Sequence, residues 1–204
     1  KKILKKNPSK KKFYGTDWTL KKIGKRRIFK DSKGKLLLKS KKILSEGIWD
    51  NVGLAIKVAR DLNISKKNIL KAITKVHFEG RLQYIHSGKL RKLLLPREKL
   101  LIDGCHSEAS GKNLSDYLKL LNNKEIYGIW GMQNNKHPEL FIKQFKGIFK
   151  KIVAVKIPDE PNTCDPSKLK RMANKFNIKC DVASSIKFAV KKLSSKRRKV
   201  IVSF

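Results

Sequence analysis

The spacing of apolar positions along this chain changes period twice. Residues 13–18, 25–29 and 35–39 are short apolar segments separated by Gly24 and by Asp31-Ser32-Lys33-Gly34, turn chemistry that predicts a three-stranded antiparallel meander. Tyr14 and Trp18 are expected to pack on one face of it, as large aromatics usually do. From Trp49 the period lengthens. Val52, Ala55, Ile56, Ala59 and Leu62 recur at three- and four-residue steps over a polar back, which predicts a helix closed by Asn63. Ser65 then caps a second helix carrying Ile69, Leu70, Ile73 and Val76 on its apolar side. The helical signal stops at His77-Phe78-Glu79-Gly80, which divides the chain into domains 1–78 and 79–204.

Beyond that point strand and helix patterns alternate. Strand-like runs lie at 99–103, 125–130, 152–157, 180–182 and 200–204; helical patterns lie at about 111–121, 138–149, 166–176 and 184–193. Parallel strands joined by helix-length crossovers give a mostly parallel sheet with helices on both faces, so the second domain is expected to be Rossmann-like α/β. No GxGxxG follows any of its strands, which argues against a dinucleotide domain.

Charge changes the picture less than its size suggests. The chain has 204 residues and a net charge of +35, from 51 basic and 16 acidic residues. A field of that size attracts polyanions, so a basic nucleic-acid-binding module is one functional class to weigh. The basic residues are mostly Lys and run along the whole chain, including every predicted helix, which marks a solvated surface rather than a nucleic-acid groove. Cys105, Cys164 and Cys180 are far apart, odd in number and without a CxxC pair, which fits a reducing cytoplasm rather than a disulfide framework. Apolar runs fall far short of the ~20 residues that span a bilayer, so no membrane partner is expected. Residues 1–12 are almost all Lys, Asn, Ser and Pro and read as a mobile lead. The absence of an initiator Met and the strand-like ending KVIVSF suggest a fragment.

Candidate chemistry gathers between Glu79 and His106. Gly80-Arg81 places a guanidinium after a flexible joint, and Leu100-Leu101-Ile102 delivers Asp103, Gly104 and His106 to a strand end, where open α/β sheets collect ligands. Gly104 to Asn113, GCHSEASGKN, is not a P-loop: His106 replaces the first glycine and Asn113 the hydroxyl residue. A strand end, a carboxylate and a helix N-terminus can still host an anion or a ribose. The Cys and His spacings match no zinc signature. Ser107 beside His106 is a poor nucleophile–base pair, because adjacent residues rarely point at one another. Arg81, just after a domain joint, suits a cleft.

The order GRLQ, LLIDGCHS, IYGIWGM and VAVKIPDEPN, preceded by FYGTDW and SEGIWDNVGLAI, resembles bifunctional dihydrofolate synthase/folylpolyglutamate synthase of the Mur ligase superfamily. The resemblance covers nearly the whole chain. It implies the end of the central, ATP-binding domain followed by most of the Rossmann-like C-terminal domain. It also implies an ATP-dependent ligase that activates dihydropteroate or folate as an acyl phosphate and adds L-glutamate, monomeric when full length. ATP and Mg²⁺ are the implied cofactors, with the P-loop and Mg²⁺ ligands outside this chain, which alone is expected to be inactive. By the same resemblance Asn51 and Arg81 contact ATP, Asp103 serves the ribose and cation region, and His106 lines the glutamate and phosphate side as the catalytic candidate. Four positions depart from the family pattern: Gly47 and Ile48 stand for His-Gln, Ser107 for Asn, and His137 for the Asp of a Lys-Asp pair. A Mur-type ligase acting on a cell-wall precursor is the neighbouring alternative.

Overall fold

The structure, a computed structural model, describes residues 10–121, 124–195 and 197–204, so the first nine residues of the Lys-rich lead lie outside it. The chain divides into two compact units between His77 and Phe78.

In the first unit, β1 (Trp18–Ile23), β2 (Arg26–Asp31) and β3 (Gly34–Leu38) form an antiparallel sheet in that order, followed by α1 (Glu46–Asp61) and α2 (Lys66–Lys75). The first strand lies five residues later than its apolar pattern suggested. Residues 13–17 form a turn instead: Gly15 takes φ +88°, and the Asp17 carboxylate accepts from the Phe13 N–H at 2.7 Å. Trp18, Leu20, Phe29, Leu36 and Leu38 supply the buried face of the sheet, as period-two alternation requires. α1 buries Trp49, Val52, Gly53, Ile56, Lys57 and Arg60. Ala55 and Leu62, expected on its packed side, are exposed. The packed face is instead set by Gly53, where a Cβ would come within 2.9 Å of the Trp18 ring, and by Arg60, which binds the buried Asp31 carboxylate at 2.8 and 3.2 Å.

The second unit contains β4 (Gln83–Ile85), α3 (Gly88–Arg91), β5 (Glu98–Ile102), α4 (Glu108–Lys119), β6 (Glu125–Trp130), α5 (Pro138–Lys143), β7 (Lys151–Ala154), α6 (Pro166–Lys175), β8 (Cys180–Val182), α7 (Ile186–Leu193) and β9 (Lys199–Ser203). Its six-stranded sheet has the order β4-β5-β9-β6-β7-β8, parallel except for β4. Alternate residues serve the two faces. Leu101, Trp130, Ile152, Val200 and Val202 pack with α4, α5 and α6, while Leu100, Ile129, Val153 and Ile201 pack with α7 and with Leu90 of α3. β9 is buried on both sides, which accounts for its unbroken apolar run. Phe204 completes an aromatic cluster with Phe141, Phe145 and Phe149, ring centroids 5.2–5.9 Å away. α5 stops at Lys143, short of the helix expected to residue 149, and the chain continues through turns that still bury Phe145 and Phe149.

Among the described residues no helix is long and apolar enough to cross a membrane. All three cysteines are free and buried.

Candidate functional site

Four loops meet at the carboxyl ends of the parallel strands in the second unit. Asp103 follows β5, and its N–H donates to the Ser203 carbonyl at 3.0 Å, tying it to β9. Its carboxylate is buried, and Oδ2 accepts from the Leu82 N–H at 2.8 Å. Gly104 N–H donates to the Gly80 carbonyl at 2.7 Å, and Gly80 N–H donates to the Gln83 side chain at 2.8 Å. Those bonds hold the turn Gly80–Leu82 in left-handed backbone, φ +64° at Gly80 and +44° at Leu82. Glycine bears the first without cost; Leu82 is stabilised there by its bond to Asp103.

This turn places Arg81 beside Asp103. Nη1 lies 3.9 Å from Oδ1, and the Arg81 side chain is 42% exposed. The contact is at the limit of an ion pair, so the guanidinium stays available to a further anion. Burial raises the Asp103 carboxyl above its usual range, opposed by the Leu82 N–H, by Cys105 and by the Arg81 charge. Burial also pushes up the neighbouring Cys105 thiol, with the Asp103 charge adding to the effect, which makes Cys105 an inert apolar residue.

His106 points its ring back to the chain, Nδ1 sitting 2.9 Å from the Gly104 carbonyl. It lines a cavity of about 340 Å³ together with Gly131, Met132 and Gln133 after β6, Lys136, and Ile157 after β7. Lys136 makes no ion pair among the described residues, whereas Gln133 donates to Glu160 at 2.6 Å. The cavity thus offers an imidazole and an ammonium to a small anionic or polar group. Gln133 and Lys136 were not assigned to the site from sequence; their signal was the loop GMQNNKHP directly after a strand.

Ser107 is the N-cap of α4. Its hydroxyl accepts from Ser110 N–H at 3.3 Å, and Ser110 Oγ accepts from the N–H groups of His106 and Ser107 at 3.1 and 3.0 Å. The helix therefore starts at Glu108 rather than near Gly111. The departure from Asn at this position keeps a side chain able to cap. His137 adopts φ +50° as N-cap of α5, ahead of Pro138. Gly47 and Ile48 fall in the first turn of α1.

Asn51 belongs to the first unit. It is exposed on α1 and borders an apolar groove of about 570 Å³ with Leu54, Val58, Leu62 and Ile64. Arg81, Asp103 and His106 share one strand end in the second unit; Asn51 is not among them. No group of three or more His, Cys, Asp or Glu residues able to hold a metal ion occurs among the described residues.

The second unit has the fold of the C-terminal domain of the Mur ligases. Across both units the chain is similar in fold to the folylpolyglutamate synthase of Thermotoga maritima, with 19% identity and TM-score 0.68 over 93% of this chain and 44% of that one. Escherichia coli FolC in complex with DHPP and ADP is similar at 16% identity and TM-score 0.74, covering 93% of this chain and 43% of that one. The UDP-N-acetylmuramate-alanine ligase MurC of Thermotoga maritima is similar at 14% identity and TM-score 0.67, over 92% and 42%. Another folylpolyglutamate synthase/dihydrofolate synthase of this fold carries Mn, AMPPNP and L-glutamate. The chain thus spans less than half the length of these structures. No family model and no curated protein matches its sequence.

Proposed function

We propose that this chain is part of an ATP-dependent ligase that adds L-glutamate to dihydropteroate, to folate or to both through an acyl phosphate. The observation that carries the reading is the coincidence of two things. The fold follows folylpolyglutamate synthases over 93% of the chain, and the GRLQ and IDGCHS motifs fold into one strand end, where an exposed Arg81 lies beside Asp103 and His106 lines a cavity with Lys136.

The residues fit the roles. Arg81, held by the Gly80–Leu82 turn, presents a delocalised cation to the phosphate chain of ATP and to the charge that develops on the transferring phosphoryl group. Asp103 acts by fixing that turn and the orientation of Arg81 rather than by meeting nucleotide with a free carboxylate, since one oxygen is already taken by Leu82. His106 and Lys136 hold the carboxylate of the incoming glutamate, and the His106 ring, anchored at Nδ1, keeps Nε2 for substrate. Asn51 contacts the nucleotide from the first unit. No cluster of three or more His, Cys, Asp or Glu side chains lies among the described residues, and we place the carboxylate ligands of Mg²⁺ in polypeptide outside this chain.

The test is ATP turnover by the complete coding unit that contains this chain, supplied with L-glutamate and either dihydropteroate or a reduced folate. ADP release that depends on both partners supports the reading. Turnover only with a UDP-linked muramyl acceptor assigns a cell-wall ligase instead, and turnover with no acceptor of either class overturns the proposal.

A further inference from the structure

The first unit holds a cavity of about 540 Å³ at the β1 edge of its sheet, walled by Gly15 and Thr16, by β1, by the end of β2 and by Lys57 of α1. It shares no residue with the strand-end site. Four lysines line it: Lys12, Lys21, Lys30 and Lys57. Two carboxylates do as well, and each is already engaged. Asp31 accepts from Arg60 at 2.8 and 3.2 Å and from Lys33 N–H at 3.0 Å, with no exposed side-chain surface left. Asp17 accepts from Phe13 N–H and lies 3.7 Å from Lys12. Buried Lys57 is neutralised by Asp61. Lys21 and Lys30 make no ion pair among the described residues. Thr19 is the cross-strand partner of Lys30, so its hydroxyl and that ammonium share one face, and Thr16 and Ser32 add two more hydroxyls.

Two ammonium groups without an ion-pair partner among the described residues and three hydroxyls, against a buried Asp31 bound to Arg60 and an Asp17 held by Phe13 N–H beside Lys12, favour a doubly charged anion with several acceptors. A phosphate monoester carries a charge of about −1.5 to −2 near neutrality and three acceptor oxygens. The volume lies within the range of about 300–1,000 Å³ typical of sites for whole small molecules, so a bare phosphate would leave most of it filled with water. We propose that this cavity binds a phosphate monoester carried on a small polar body, such as a sugar phosphate, with Lys21 and Lys30 on the phosphate and Thr16, Thr19 and Ser32 on its oxygens and on the body. This site stands independently of the ligase reading.

The experiment is isothermal titration of the 204-residue chain with ribose 5-phosphate at ~0.15 M salt, where diffuse attraction to a basic surface is largely screened. One-to-one binding is expected, with ribose silent and inorganic phosphate weaker. K21Q/K30Q is expected to weaken binding by at least about tenfold, the scale of two charge-assisted contacts, while the charge-matched K143Q/K146Q variant in the second unit leaves it unchanged. Both lysine pairs are exposed, and thermal melts confirm that each variant folds. Absence of ribose 5-phosphate binding, equal loss in both double variants, or equal affinity for ribose overturns the proposal.

Discussion

Glu98 and Asp103 stand at the two ends of the same strand, both buried, and their surroundings are opposite. At the amino end Glu98 is saturated. Its oxygens accept from Leu95 N–H at 2.9 Å, Ser194 Oγ at 2.8 Å and Ser195 N–H at 2.8 Å, and Lys199 lies 3.9 Å away while donating to the Leu193 carbonyl. Lys199 also sits 4.3 Å from the centre of the Tyr127 ring, and burial lowers its pKa. The cluster ties β5, β9 and the end of α7 together with its polar groups paired. At the carboxyl end Asp103 has the Leu82 N–H, the neighbouring Cys105 and a loosely held guanidinium. One end of the sheet uses its buried carboxylate for cohesion; the other leaves bonding capacity open beside a cavity. Substitutions at the two ends should therefore separate stability from activity.

The largest effect is expected at the saturated end. Glu98→Ala strands Lys199 and two N–H groups without their acceptor, and should cost about 3–5 kcal/mol in urea unfolding, the usual penalty for breaking a buried pair from one side. Retention of wild-type stability would remove the contrast. At the open end Arg81→Ala should leave the unfolding midpoint nearly unchanged while lowering kcat/KM of the proposed ligase reaction in the complete protein about 10²–10³-fold, as loss of a transition-state charge stabiliser does. Equal turnover in the variant would remove Arg81 from the site.

A smaller effect concerns pH. Burial raises the folded-state pKa of Asp103 above its unfolded value of about 4. The protonated form therefore favours the fold: its contribution is full below the unfolded pKa and is lost as pH rises through the folded value. Asp103→Asn should flatten that part of the stability curve in melts taken from acid to neutral pH, and an unchanged slope would show that Asp103 does not titrate as the geometry implies. The smallest change is at the cap: Ser107→Ala should cost about 1 kcal/mol and Ser107→Asn almost nothing, read by thermal melting.

How much of this was legible in sequence follows from the range of each interaction. The longer helices and the apolar strands of the second unit declared themselves through local period, and the β2–β3 turn through its residue types, whereas the single-turn α3 was not expected. The start of β1 was misplaced because Gly15 and Asp17 close a turn inside an otherwise strand-like aromatic run. β4 went unseen because Gln83–Ile85 is too short to show a period and gains its place only by pairing with β5. The cap at Ser107 was missed and the helix start placed near Gly111, because Ser-x-x-Ser lacks the Glu or Gln of the usual capping box. The strand-end candidates Arg81, Asp103 and His106 came from motif order, whereas the partnership of His106 with Lys136 depends on two loops separated by a strand and a helix. No spacing rule reports such a meeting.

The middle place of β9 has a consequence for how the second unit is made. Leu100 and Tyr127 both pair with Ile201, so the strands synthesised early have no direct contact with one another across the gap that β9 fills. As the polypeptide leaves the ribosome, β5 and β6 present two facing parallel edges until β9, which follows both in sequence, inserts between them. That pairing is the slow, non-local step in building this sheet, and until it forms those edges are open to pairing with another chain.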